Sequence, residues 1–131
     1  MRYMSIWKSI ERNTPPTQQE MAVMGSLIED TMKSGNLIET GGLLPSATGF
    51  RMRRSNGRIV VTDGPFTETK EVVGGYAILA ASSKEEAVDL TRRFLEVSGD
   101  GECEVRPMHE MGDFEQTCTT YPVDFAEPRS T

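Results

Sequence analysis

The segment Gly74–Ala81 (Gly-Gly-Tyr-Ala-Ile-Leu-Ala-Ala) is apolar on both of its faces. Successive side chains of an extended chain point to opposite sides. Tyr76, Ile78 and Ala80 therefore share one face, and Ala77, Leu79 and Ala81 the other. A half-solvated antiparallel strand carries polar residues on its outer side, and this one has none. Ile59–Val61 and Tyr3–Trp7 are likewise apolar on both faces. A sheet made of such strands has to be covered on both sides.

Two helical patterns are available as cover. Thr17 and Glu20 have capping-box spacing, a hydroxyl for an orphan amide and a carboxylate three residues on. Behind them Met21, Met24, Leu27, Ile28 and Met32 recur at helical spacing, and Gly35 is a natural stop. Such a methionine stripe serves either as core packing or as a binding face. The second helix has Ser82 and Ser83 as alternative N-caps, with Glu85 and Glu86 at the matching capping-box positions. Its buried stripe is Ala87, Leu90, Thr91 and Phe94, and Gly99-Asp100-Gly101 ends it. Two helices cover one face of a sheet. The other face, left open, is an apolar patch of the kind soluble monomers avoid. The simplest cover is a second copy packed by two-fold symmetry, so the chain is expected to be a homodimer.

The remaining strands follow from turn chemistry and alternation. Residues 2–8 read as the first strand, and the polar stretch up to Pro15-Pro16 as a loop. Asn36 to Leu43 reads as the second strand, which Pro45 closes. Thr48–Arg54 and Arg58–Thr62 flank Ser55-Asn56-Gly57, a hairpin signal. A loop runs from Asp63 to Val73, and Cys103 to Met108 reads as the last strand. The order is βαββαβ with an added β-hairpin, a ferredoxin-like α+β class. A domain over 1–111 and a polar C-terminal tail over 112–131 are expected.

Charge and composition exclude several function classes. The 131 residues carry a net charge of −6, which argues against binding a nucleic-acid backbone. Arg51, Arg53, Arg54 and Arg58 form a local basic exception. No stretch approaches the roughly 18 apolar residues of a membrane span, and the opening residues are too charged for a secretory signal. Cys103 and Cys118 fit no metal pattern or disulfide framework, so reduced thiols in a cytoplasm are expected. No Walker loop, dinucleotide fingerprint, zinc motif or Gly-x-Ser-x-Gly elbow occurs; neither a cofactor nor a metal is expected.

The most distinctive stretch is Asp63-Gly64-Pro65-Phe66-Thr67-Glu68-Thr69-Lys70-Glu71, followed by Gly74-Gly75-Tyr76. It closely resembles the DGPF-domain branch of the YCII-related proteins. Supporting matches are Arg2-Tyr3-Met4, Ser34-Gly35-Asn36-Leu37 with Gly42-Leu43-Leu44-Pro45, and Glu104-Val105-Arg106-Pro107. The resemblance spans about residues 2 to 108. It implies a ferredoxin-like fold paired into a dimeric α+β barrel, and a sigma factor of the extracytoplasmic-function class as a partner. It further implies a His–Asp acid/base pair at a cleft. The chain's sole histidine is His109, just past the last expected strand, and Asp63 is carried over as the motif's own aspartate.

Asp63 thus has two readings, a carboxylate that caps its own turn or a catalytic base beside an apolar cleft. His109 or Glu68 is its candidate partner. Glu68, Lys70 and Glu71 are either a solvated charged loop or ligand contacts. Arg51 and Arg106 either lie at strand edges or hold a carboxylate or phosphate through their planar forks. Trp7 and Tyr76 are either core or the walls of a pocket. Two functions follow. One is a dimeric module that binds a small ligand or regulates a protein partner. The other is a small cofactor-free enzyme that uses Asp63 for acid/base chemistry on an organic acid or aromatic.

Overall fold

The computed structural model describes residues 1–12, 14–66 and 70–110. The expected tail over 112–131, Cys118 and Glu68 lie outside the described residues. The elements are β1 (Arg2–Ser9), α1 (Gln18–Lys33), β2 (Leu37–Gly42), β3 (Phe50–Ser55), β4 (Arg58–Asp63), β5 (Val72–Ala80), α2 (Lys84–Ser98) and β6 (Glu102–Pro107). A 3₁₀ turn, Ser46–Thr48, lies between β2 and β3. Four strands form an antiparallel sheet in the order β2-β5-β1-β6. With the β3–β4 hairpin set aside, that is the strand order of a ferredoxin-like βαββαβ unit, and the fold class is the expected one.

Local chemistry sets the helix ends. Thr17 Oγ1 accepts from the Glu20 N–H at 3.1 Å, and the Glu20 carboxylate accepts from the Thr17 N–H at 2.9 Å. The capping box is therefore complete. Ser34 caps the other end, and Gly35 turns the chain at φ +84°. At α2 the choice between two serines falls on Ser83, whose hydroxyl accepts from the Glu86 N–H at 3.1 Å. The Glu86 carboxylate reaches back to the Ser82 N–H at 2.7 Å.

The register sorts the side chains of the sheet. Tyr3 pairs with Leu79 and Pro107, Ser5 with Ala77 and Val105, and Trp7 with Gly75 and Cys103. These residues share the helix-side face. Tyr3, Leu37, Leu79, Ala81 and Ala87 are its buried apolar residues, with Ile28, Ala77, Leu90 and Val105 packed against them. The opposite face places Met4 beside Ile78 and Ile6 beside Tyr76. Outside this apolar centre lie Arg106 opposite Met4, Glu104 opposite Ile6 and Glu39 opposite Ile78. Lys8 Nζ meets Glu104 at 2.8 Å, and Arg106 Nε meets Glu104 at 3.1 Å. The far face is therefore apolar in the middle and charged at its margins.

Two local features differ from the expected layout. The hairpin does not join the four-stranded sheet: β3 and β4 pair only with each other, and all twelve of their residues are exposed. Their ladder is closed by a turn in which Asn56 (φ 52°) and Gly57 (φ 79°) both take positive φ, as a type I′ hairpin requires. Ile59–Val61 therefore belong to a separate arm. Strand β5 also starts two residues early, because Val72 and Val73 pair with Ser9 and Lys8 past a bulge after Trp7.

Candidate functional site

Among the described residues five apolar side chains are buried, and the space beside them is the main feature of the described structure. Between the helices and the sheet lies an open cleft of about 790 Å³. One wall comes from α1 through Met21, Met24 and Ile28, three residues of the expected methionine stripe. Gly25 belongs to the same helical face, four residues after Met21 and three before Ile28. A Cβ built there would meet nothing within 4 Å. The opposite wall comes from Leu90 and Phe94 of α2.

Trp7 closes one end. Its ring meets Phe94 edge-on at 5.3 Å between centroids and 81° between planes, an arrangement that the ring quadrupoles favour. Gly101 packs under the indole: a Cβ on it would lie 2.2 Å from the Trp7 ring and 2.7 Å from the Lys8 carbonyl. Any side chain at Gly101 would displace the tryptophan. The floor beside Trp7 is backbone, since Trp7 is opposite Gly75 and Gly75 is opposite Gly42. Three of the hydroxyls within the cleft are engaged as donors. Thr31 Oγ1 donates to the Leu27 carbonyl at 2.6 Å, Thr91 Oγ1 to Ala87 at 2.8 Å and Thr40 Oγ1 to Tyr76 at 2.8 Å.

Charges collect at the mouth. The Arg12 guanidinium forks onto Glu20 at 2.9 and 3.3 Å. That contact and the Thr17 N–H hold the Glu20 carboxyl down at about 2. A depressed carboxyl stabilises the fold above its unfolded value of about 4.3, and that contribution is lost as pH falls through the folded value. The Glu20 carboxyl is expected to titrate near pH 2 by NMR and to move up in Arg12→Ala. A wild-type midpoint near 4.3 would show that the pair at the mouth does not hold. Glu71 and Asp100 also line the opening.

Five residues picked from the sequence as site candidates lie elsewhere. Asp63 is the last residue of β4, exposed and opposite Phe50. His109 is exposed beyond β6, where its carbonyl accepts from the Arg2 guanidinium at 3.4 Å. The Arg51 guanidinium stacks over the Phe66 ring at 3.8 Å on the arm. Lys70 is exposed, and Arg106 sits on the charged margin of the far face. None of these five lines the cleft. Trp7 borders it with its ring, whereas Tyr76 reaches it through the carbonyl that accepts from Thr40 and keeps its side chain on the far face, where the hydroxyl donates to Glu39 at 2.5 Å, which raises its pKa. Cys103 is half-buried on the helix-side face, and burial pushes its thiol up, away from the reactive thiolate.

The Asp-Gly-Pro-Phe motif has a visible structural role. The Gly64 N–H donates to the Gly49 carbonyl at 2.9 Å. A Cβ on Gly64 would fall 1.8 Å from the Ser46 carbonyl oxygen, so only glycine fits. The Phe66 N–H donates to Ser46 Oγ at 3.3 Å. Ser46 in turn donates its N–H at 2.7 Å and its hydroxyl to Glu11, which lowers the Glu11 pKa. The motif thus pins the base of the arm to the 3₁₀ turn and to the loop after β1. Among the described residues no group of three or more His, Cys, Asp or Glu side chains is placed to hold a metal ion. No described helix is long and apolar enough to cross a membrane.

Fold and cleft together define a ferredoxin-like α+β domain with a projecting hairpin and an apolar cavity under its helices. The YCII-related domain model matches residues 1–112, and the chain belongs to that family. An uncharacterized protein of Rhizobium meliloti (strain 1021) is 35% identical over 78 residues, 59% of this chain. The match spans 63% of that relative, less than two thirds of its length. Among solved structures, the divalent cation tolerance protein of Thermus thermophilus aligns over 89% of this chain and 93% of its own. The TM-score is 0.38 and the identity 10%.

Proposed function

We propose that the chain is a homodimeric module that binds a small apolar molecule in the cleft between its helices and its sheet. The observation that carries this reading is the 790 Å³ of space where a domain of this length ordinarily packs side chains to crystal density. The cleft has the volume and apolar lining of a small-molecule site. Trp7, Met24 and Phe94 supply its contact surface. Pairing of two copies is supported by the far face, whose centre of Met4, Ile6, Tyr76 and Ile78 is ringed by Arg106, Glu104 and Glu39. An apolar centre with a polar rim is the usual anatomy of a protein interface.

A thermal-shift screen of the full chain against a metabolite library tests the reading. One compound class is expected to raise the melting temperature. A ligand at 100 times its Kd adds about 2.7 kcal/mol, on the order of 10 °C for a domain of this size. The shift is expected to vanish in Gly25→Phe and to persist in Asp63→Asn. A shift that survives Gly25→Phe but is lost in Asp63→Asn would move the site to the arm and favour the acid/base enzyme. A library without any stabilising compound would contradict the ligand reading.

A further inference from the structure

We infer that the cleft selects planar aromatic molecules that are cationic or uncharged, and that it discriminates against anions. This rests on the reading of the cleft as a ligand site, and three observations carry the selectivity. The first is shape. Gly42, next across the sheet from the Gly75 that faces Trp7, leaves bare backbone in the cleft, where a Cβ would meet nothing within 4 Å. A flat ring lies on such a floor without a side chain beneath it, and its edge meets the indole, an aromatic contact worth about 0.5–1.5 kcal/mol beyond area alone. The second is hydrogen-bond polarity. An anion needs donors, yet three of the hydroxyl protons in the cleft, those of Thr31, Thr91 and Thr40, are committed to backbone carbonyls at 2.6, 2.8 and 2.8 Å. Those hydroxyl oxygens keep lone pairs and can accept from a ligand N–H. The third is charge. Arg12 at the mouth is neutralised by its fork onto Glu20, which leaves Glu71 and Asp100 as the excess charge along the opening. Lys8, a cation that feels the charge of Glu71, is itself paired with Glu104 at 2.8 Å. An ammonium or pyridinium group at the mouth therefore meets carboxylates, and the Trp7 face adds a cation–π surface.

Calorimetric titration of the full chain with matched naphthyl probes tests the inference. The probes are 2-naphthylmethylamine, 2-naphthalenemethanol, 2-naphthoate and the decahydro analogue of the amine. The amine is expected to bind at least tenfold more tightly than the naphthoate, with the alcohol between them. The saturated amine is expected to lose at least tenfold. In the double variant Glu71→Gln/Asp100→Asn the ratio of amine to naphthoate affinity is expected to fall below about threefold while the alcohol is unaffected. A naphthoate that binds as tightly as the amine overturns the charge selectivity but leaves the cleft a ligand site. A saturated amine that binds equally well overturns the preference for flat rings. Silence from all four probes overturns the inference, and the library screen then decides separately whether the cleft binds anything.

Discussion

Lysine in place of Ile78 is expected to turn a dimer into a monomer. Ile78 lies near the centre of the far face, in β5, one of the two inner strands, with Met4 on one side and Glu39 on the other. Its side chain points away from both helices, so the substitution leaves the helix-side core untouched. In a dimer that pairs far faces, a two-fold axis puts the new lysine of each copy into the same apolar centre. Unpaired charges desolvated there cost several kcal/mol, and a loss of about 3 kcal/mol is already more than a hundredfold in Kd. Sedimentation equilibrium at micromolar concentration is expected to give twice the chain mass for the wild type and one chain mass for Ile78→Lys. Circular dichroism is expected to be unchanged. A wild-type monomer at that concentration would leave the apolar centre uncovered and would contradict the proposed pairing.

Phenylalanine at Gly25 is expected to close the cleft without unfolding the chain. Glycine in the middle of a helix is destabilising by roughly 1 kcal/mol relative to alanine. At Gly25 no close approach calls for it, since a Cβ there meets nothing within 4 Å. What the missing side chain preserves is space. Gly25→Ala is therefore expected to gain about 1 kcal/mol in chemical denaturation and to keep ligand binding. The Gly25→Phe ring is expected to enter the opening between Met21 and Ile28 and to weaken binding at least a hundredfold while the variant melts no lower than the wild type. A Gly25→Phe chain that binds unchanged would show that the ligand lies outside the cleft.

The parts of this fold that local chemistry decides were legible in the sequence. Thr17 and Glu20 announce the start of α1, and Asn56-Gly57 announces the hairpin. The alternation along residues 2–8 announces β1, and each of these signals is complete within a few residues. Features that depend on how layers are spaced were not legible. An Asn-Gly turn says that two strands pair with each other, not whether they also join a neighbouring sheet, and β3 and β4 do not. The cleft is a gap between elements and leaves only an indirect trace: a glycine on the apolar face of a methionine-rich helix, and the Gly41-Gly42 and Gly74-Gly75 pairs. The Asp-Gly-Pro-Phe motif drew attention to Asp63 because its residue types can do chemistry. Its most constrained member is Gly64, and the constraint comes from Ser46, eighteen positions earlier in the chain. No local pattern exposes a contact of that kind.

Trp7 is the sole tryptophan of the chain, and it stands at one end of the cleft, so it reports directly on what enters. Energy transfer from Trp7 to the uncharged apolar probe N-phenyl-1-naphthylamine is the closest test of a binding site under the helices. Tryptophan emission is expected to fall and probe emission to rise along one saturable curve, at one probe per chain. Tryptophan emission that falls only in proportion to added probe, with no saturation and the same slope in Gly25→Phe, would mean that the cavity takes up nothing.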